Sequence, residues 1–211
     1  MVNIFTITAD KGLRDAGPDA LHIASFAWCR NYYLLQPEHC FVIDDGHGRA
    51  VGYIIGTPDT RTFAQQLREE FLAYLNEQNL PRPGPDENTN WAENITAALR
   101  SYLHNPDQLV HQEWPELMRD HPGHLHIDIL PPYQGKGMGR QLMSTFLEHM
   151  RRLDCRGVHL GMVSSNEGAE KFYTRLGFTR FPKVIDDGAS GEQGRLGNTT
   201  YMVCKLPTAL P

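Results

Sequence analysis

Hydrophobic and polar positions alternate in two periods along this chain, and the change from one to the other marks out the elements. Residues 2–8, rich in β-branched and aromatic side chains, read as a short strand. Gly17-Pro18-Asp19 then opens a helix, proline being suited to a first turn. Its apolar face runs through Leu21, Ala24, Trp28, Tyr32 and Leu35 until Pro37 stops it. Residues 40–44 and 49–55 read as strands joined by Asp45-Gly46-His47-Gly48, a good hairpin turn. Helical spacing takes over at Phe63, Leu67, Phe71 and Leu75, is broken by the prolines of 81–86, and resumes over 91–103 and 106–119. From 124 the pattern is compact: strand 124–130, helix 137–154, strand 157–163, helix 166–176, strand 178–185, a glycine-rich loop 186–198, and strand 199–206. This alternation predicts an α/β fold with a central mixed, twisted sheet of about seven strands and flanking helices.

The 211 residues suit one domain spanning 1–211, with 58–120 as a helical insertion. About 60 residues would make a marginal core alone. Net charge is −5, and between 57 and 120 there are 11 acidic residues against 5 basic ones. That excess reads either as a solvated face or as a negative cover over a site for a protonated amine. Without a cluster of lysines and arginines, nucleic acid is not an expected partner. No apolar run approaches a membrane span, and 1–15 lack a basic leader with an apolar core. The expected place is therefore the cytoplasm. Cys29, Cys40, Cys155 and Cys204 read as reduced thiols, and the two Asn-x-Thr matches at Asn94 and Asn198 as chance.

Between the strand ending at Leu130 and the helix beginning near Gly137 lies Gln134-Gly135-Lys136-Gly137-Met138-Gly139-Arg140. Glycines there let backbone N–H groups converge at the positive end of a helix, where a pyrophosphate fits, and Lys136 and Arg140 add cationic donors. No Lys-Ser/Thr pair follows, so it is not a Walker loop. The bland alternative is a tight strand-to-helix turn. His124, His126 and Asp128 share one face of their strand and could serve as a base or a metal site.

Gln134-x-x-Gly137-x-Gly139 resembles the cofactor motif of the GNAT acetyltransferases. Asn166-x-x-Ala169-x-x-x-Tyr173-x-x-Leu176-Gly177-Phe178 is similar to the family's next motif, in the right order and about 30 residues on. The stretches at 124–131 and 157–161 look closest to the subgroup that includes the acetyltransferase-like C-terminal domain of O-GlcNAcases. The resemblance implies a GNAT fold and acetyl-CoA as cosubstrate, held by Gln134 to Arg140, by Asn166, Ala169, Phe172 and Tyr173, and by the main chain at Ile129 and Leu130. It implies acetyl transfer to a primary amine, with no metal. Tyr173 is then the candidate acid for the leaving thiolate. Asp128 is the candidate base, although bases on this strand usually stand at the positions of Gly123 and Leu125, with the other parity. A small-molecule amine is the expected acceptor. Protein lysines, and a binding module without turnover, are the alternatives, and a homodimer is left open.

Overall fold

In a computed structural model, residues 1–183 and 199–206 are described. The expected loop 186–198 and the end of the expected strand 178–185 lie outside them. Six strands form one sheet in the order β1-β2-β3-β4-β6-β5: β1 (Phe41–Asp44), β2 (Ala50–Thr57), β3 (Gly123–Ile129), β4 (Gly157–Val163), β5 (Thr179–Arg180) and β6 (Thr199–Lys205). All neighbours run antiparallel except β3 and β4.

The expected first strand is a helix, α1 (Val2–Thr8), so the sheet has six strands among the described residues rather than seven. Its seven residues fit either period. Ile4 and Phe5 are buried together, and the Thr6 and Thr8 hydroxyls donate back to the carbonyls of Val2 and Ile4. Such back-bonding satisfies β-branched polar residues inside a helix.

After α2 (Lys11–Asp15), α3 spans 18–35 and contains a π turn at Phe26–Arg30. A second long helix, α4, spans 60–77 with its own π turn at Leu67–Phe71. α5 (Ile95–Leu103) follows. The expected third helix of the middle region is split into a 3-10 turn at Pro106–Val110 and α6 (Pro115–Asp120), because His111 takes a left-handed conformation between them.

Two hydrophobic layers sandwich the sheet. On one face Val51, Tyr53 and Ile55 meet Phe5, Phe26 and Tyr32, together with Phe63, Phe71, Leu75 and Leu99 of the middle region. On the other face α7 (Met138–Arg152) presses Leu142, Met143, Phe146 and Met150 against Ile54, Leu125 and Val158. α8 (Glu167–Arg175) lies beside it, contributing Ala169, Phe172 and Tyr173. The apolar stripe read from 63 to 75 is thus spent on the same layer as the N-terminal helices. None of the described helices is long and apolar enough to cross a membrane.

Candidate active site

β3 and β4 are paired only at Gly123–Val158 and His124–His159, and beyond these pairs the two strands part. On the other side β3 stays in register with β2 from His124 to Ile129 without a bulge, and the Leu130 N–H donates to the Val51 carbonyl at 2.9 Å. Antiparallel pairing alternates, so Asp128 and His126 also turn their main-chain groups toward β2, whereas Ile127 and Ile129 turn theirs into the gap. The N–H of Leu130, expected at the cofactor, is bound to Val51 and its carbonyl accepts from the Tyr133 N–H, whereas the main chain of Ile127, not singled out in the sequence, faces the gap. The periodicity held that signal, but it could not say which neighbour lay on which side.

A cleft of about 720 Å³ opens on the α7 face of this gap, lined by Ile127, Ile129, Gln134, Gly135, Gly137, Gly139, Arg140, Asn166, Ala169, Phe172 and Tyr173. Arg175 and Leu176 extend it. Gln134 donates to the Ile129 carbonyl at 2.8 Å and so ties the loop to the strand end. Gly135 and Gly137 have φ of 71° and 83°, which side chains other than glycine's rarely adopt. The first intrahelical bond of α7 runs from Gln141 N–H to the Gly137 carbonyl. The N–H groups of Met138, Gly139 and Arg140 therefore point out of the helix start as an anion cradle. Lys136 and Met138 belong to the loop but not to the cleft wall, and the Lys136 ammonium sits 5.6 Å from the Tyr133 ring centre. Asn166 caps α8 by accepting from Ala169 N–H at 3.0 Å.

A second cavity, about 360 Å³, opens on the opposite face. His126 and Asp128 form its wall with Thr8, Asp10, Trp28 and Trp91, and Asn166 borders both spaces. Trp91 comes from the middle region, so that segment does close over the polar face of β3. The polar triplet of β3 therefore faces away from α7, and its His126 and Asp128 reach this cavity.

Its chemistry is set by hydrogen bonds. Tyr53 donates to Asp128. Burial pushes the Asp128 carboxyl up, against the lowering effect of the Tyr53 and Thr8 bonds. His124 bridges Thr60 and Tyr32, and His126 reaches the same Tyr32 hydroxyl at 3.1 Å. Tyr173 is half-buried on the cleft side. Its phenol is pushed well up, first by burial and then by the Asp128 charge across the gap. Tyr32, Tyr53, Trp28 and Trp91 went unrecognised in the sequence, where each reads as an ordinary apolar position. Among the described residues no cluster of histidine, cysteine and carboxylate groups could hold a metal. All four cysteines are free, and burial pushes Cys29 up to about 11 and Cys40 up to about 12, as befits inert thiols.

The buried imidazoles carry a consequence for stability. Burial lowers His126 to about 4 and His159 to about 3, and holds His124 well below the usual imidazole range. An unfolded chain takes up protons at these rings near pH 6.5. Between the two limits the unfolded state binds more protons, so stability falls as pH falls. The melting temperature, followed by scanning fluorimetry, should decline steadily from about pH 6.5 to about pH 4. A flat profile over that window would mean that these rings are charged in the folded protein.

Residues 8–178 match the family model described as "Acetyltransferase (GNAT) family". The crystal structure of SsHAT is 33% identical, with a TM-score of 0.78, covering 98% of this chain and 92% of that one. A mycothiol acetyltransferase from Actinosynnema mirum is 34% identical over 76 residues, which is 36% of this chain and 26% of the relative. An L-methionine sulfoximine/L-methionine sulfone acetyltransferase from Salmonella typhimurium is 30% identical over 80 residues, 38% of this chain and 46% of the relative. The chain thus spans about a quarter to a half of the length of these two curated relatives.

Proposed function

Because the chain belongs to the GNAT family of acetyltransferases, we propose that it transfers the acetyl group of acetyl-CoA to a primary amine of a small molecule by direct attack on the thioester. The observation that carries this reading is the pair of cavities on opposite faces of the gap between β3 and β4, one with an anion cradle and the other with a buried carboxylate. Three outward N–H groups, two left-handed glycines and the main chain of Ile127 and Ile129 fit a pyrophosphate followed by an amide-bearing arm. When bound, acetyl-CoA supplies the activated acyl group and the thiolate leaving group.

The chain's own residues do the rest. The starts of α7 and the 134–140 loop hold the phosphates, and Ile127 and Ile129 hold the arm in place of a missing strand. Asp128 attracts an ammonium group and takes its first proton. Freeing an alkyl amine at pH 7 costs about 4 to 5 kcal/mol, and a carboxylate made more basic by burial lowers that cost. Tyr173 keeps its proton at neutral pH and offers it to the departing sulfur. Thiolate, near about 8.5, is less basic than phenolate, so Tyr173 shares its proton rather than surrendering it fully.

A small acceptor is favoured over a protein lysine because Trp91 and Trp28 wall a space of about 360 Å³. The two enzymes named above are, by their names, acetyltransferases of mycothiol and of L-methionine sulfoximine or sulfone, none of them a protein, which supports this reading. Placement within the subgroup that includes the acetyltransferase-like domain of O-GlcNAcases rests on the strand residues at 124–131 and 157–161.

Acetyl-CoA should raise the melting temperature, since a ligand of the folded state alone stabilises it by mass action. At a hundred times Kd the gain is about 2.7 kcal/mol, or roughly 5–10 °C for a chain of this size. No shift at millimolar acetyl-CoA would defeat the acetyltransferase reading. Release of free thiol over a panel of primary amines would then name the acceptor.

A further inference from the structure

The direction of every hydrogen bond behind the second cavity follows from one carbonyl. The Thr60 hydroxyl lies 2.7 Å from the Pro122 carbonyl, and only the hydroxyl can supply a hydrogen to that contact. Thr60 is thereby a donor to Pro122 and an acceptor toward His124 Nδ1, at 2.8 Å, so the proton of His124 sits on Nδ1. His124 Nε2 is then a bare acceptor, and the Tyr32 hydroxyl must donate to it at 2.7 Å. With its one hydrogen used, Tyr32 can only accept from His126 Nε2, at 3.1 Å. His126 therefore carries its proton on Nε2, and its Nδ1 lone pair is left over.

That ring forms part of the wall of the second cavity, two residues from Asp128 on the same face of β3. The geometry points to His126 Nδ1 as the second proton acceptor of the reaction, with Thr60, His124 and Tyr32 as a lock that fixes its tautomer. This inference rests on the acetyltransferase reading and deepens it. An ammonium that becomes an amide loses two protons from nitrogen. The first leaves before attack, to Asp128. In attack the nitrogen–carbon bond forms and the nitrogen becomes positive. Its second proton passes to His126 Nδ1 as the carbon–sulfur bond breaks and the sulfur takes the proton offered by Tyr173. Tyr173 is then reprotonated from solvent and Asp128 and His126 return their protons to it, two given back against one taken up, so one proton ends on the thiol and one is released net.

Two acceptors suit these two protons differently. A carboxylate attracts the incoming cation, which a neutral ring does not. A ring kept neutral by burial offers a lone pair to an N–H, and it accepts the proton at the stage when nitrogen is most acidic. The groups facing His126 are Tyr32, the neutral His124 ring with its centre 6.5 Å away, and the carboxylates of Asp128 and Asp10 across the cavity. The lock ends on a carbonyl, so it cannot conduct the proton away and acts only on orientation.

The test has a spectroscopic arm and a kinetic arm. Long-range ¹H–¹⁵N correlation spectra of the ¹⁵N-histidine-labelled wild-type chain should show His126 as the Nε2–H tautomer and His124 as the Nδ1–H tautomer, with or without acetyl-CoA. The opposite tautomer at His126 overturns the inference. H126Q keeps an N–H near the Nε2 position for Tyr32 but has no imidazole Nδ1. It should lower kcat about tenfold with little change in melting temperature or in affinity for acetyl-CoA. Tyr32→Phe should shift the His126 signals toward a tautomer mixture and lower kcat by a smaller factor. A folded H126Q chain with kcat within twofold of wild type would overturn the role of His126 and leave the acetyltransferase reading standing. A wild-type chain that binds acetyl-CoA but turns over no amine overturns both.

Discussion

Tyr173→Phe should lower kcat and kcat/KM together by about 10- to 100-fold, or roughly 1.4 to 2.7 kcal/mol, while the affinity for acetyl-CoA stays unchanged. The substitution removes one hydroxyl and leaves the ring in its contacts with Phe172 and Phe178, whose centres lie 5.3 and 5.7 Å away. Packing is therefore preserved. The hydroxyl serves a sulfur that becomes basic only as the thioester breaks, so its interaction belongs to the transition state rather than to the bound ground state. Single-turnover kinetics are the proper measurement, because slow product release would mask a chemical effect. If the single-turnover rate stays within twofold, Tyr173 is a packing residue and water protonates the sulfur.

The other large effect is expected at the start of α7. Gly137→Val places a side chain at φ 83°, and Gly139→Val puts its Cβ about 3.1 Å from Phe172 on the cleft wall. The first variant is strained although space surrounds it. The second keeps an ordinary backbone but crowds the aromatic ring. Each should raise the Kd for coenzyme A by about 10- to 100-fold in calorimetry, since phosphates depend on close approach to the helix start. Melting temperature should fall less at Gly139 than at Gly137, because only the latter needs a left-handed backbone. Normal coenzyme A affinity in a folded Gly137→Val chain would show that the N–H cradle does not hold the phosphates.

The sequence announces the cofactor side of this molecule far better than the acceptor side. Gln134 to Arg140 and Asn166 to Tyr173 are local motifs, each confined to one loop and helix, so their resemblance to the family's motifs singles them out, and the fold brings both to one cleft wall. The proposed acceptor side is assembled from Thr8, Trp28, Trp91 and Asp128, which only tertiary packing brings together. Tyr32 shows why such residues stay hidden. It sits on the apolar stripe of its helix and is buried, as the pattern demands, yet its hydroxyl organises two histidines. The misread segment at 2–8 failed for another reason. Seven residues, with Ile4 and Phe5 adjacent, are too few to separate the two periods, and the choice fell to the neighbours, which bury both. The parity of β3 was legible, but its meaning required knowing that the cofactor helix and the N-terminal helices cover opposite faces of the sheet.

The π turn at Phe26–Arg30 makes α3 tolerant of a change in its own length at one place. A π turn holds one residue more than the α-helical turn it replaces, so its residues complete about the same rotation as one residue fewer at about 100° each. Losing a single residue within 26–30 would let the helix close into regular α pitch, while Tyr32 kept its direction toward the two histidines. The same loss in the regular α part between Pro18 and Ser25 would turn the two sides of the helix relative to each other by about 100°. Tyr32 would then swing toward a neighbouring flank, although no atom of Tyr32 itself had changed. Among variants of this chain, the place of a one-residue deletion between Pro18 and Tyr32 thus decides whether it is felt on the far side of the cavity.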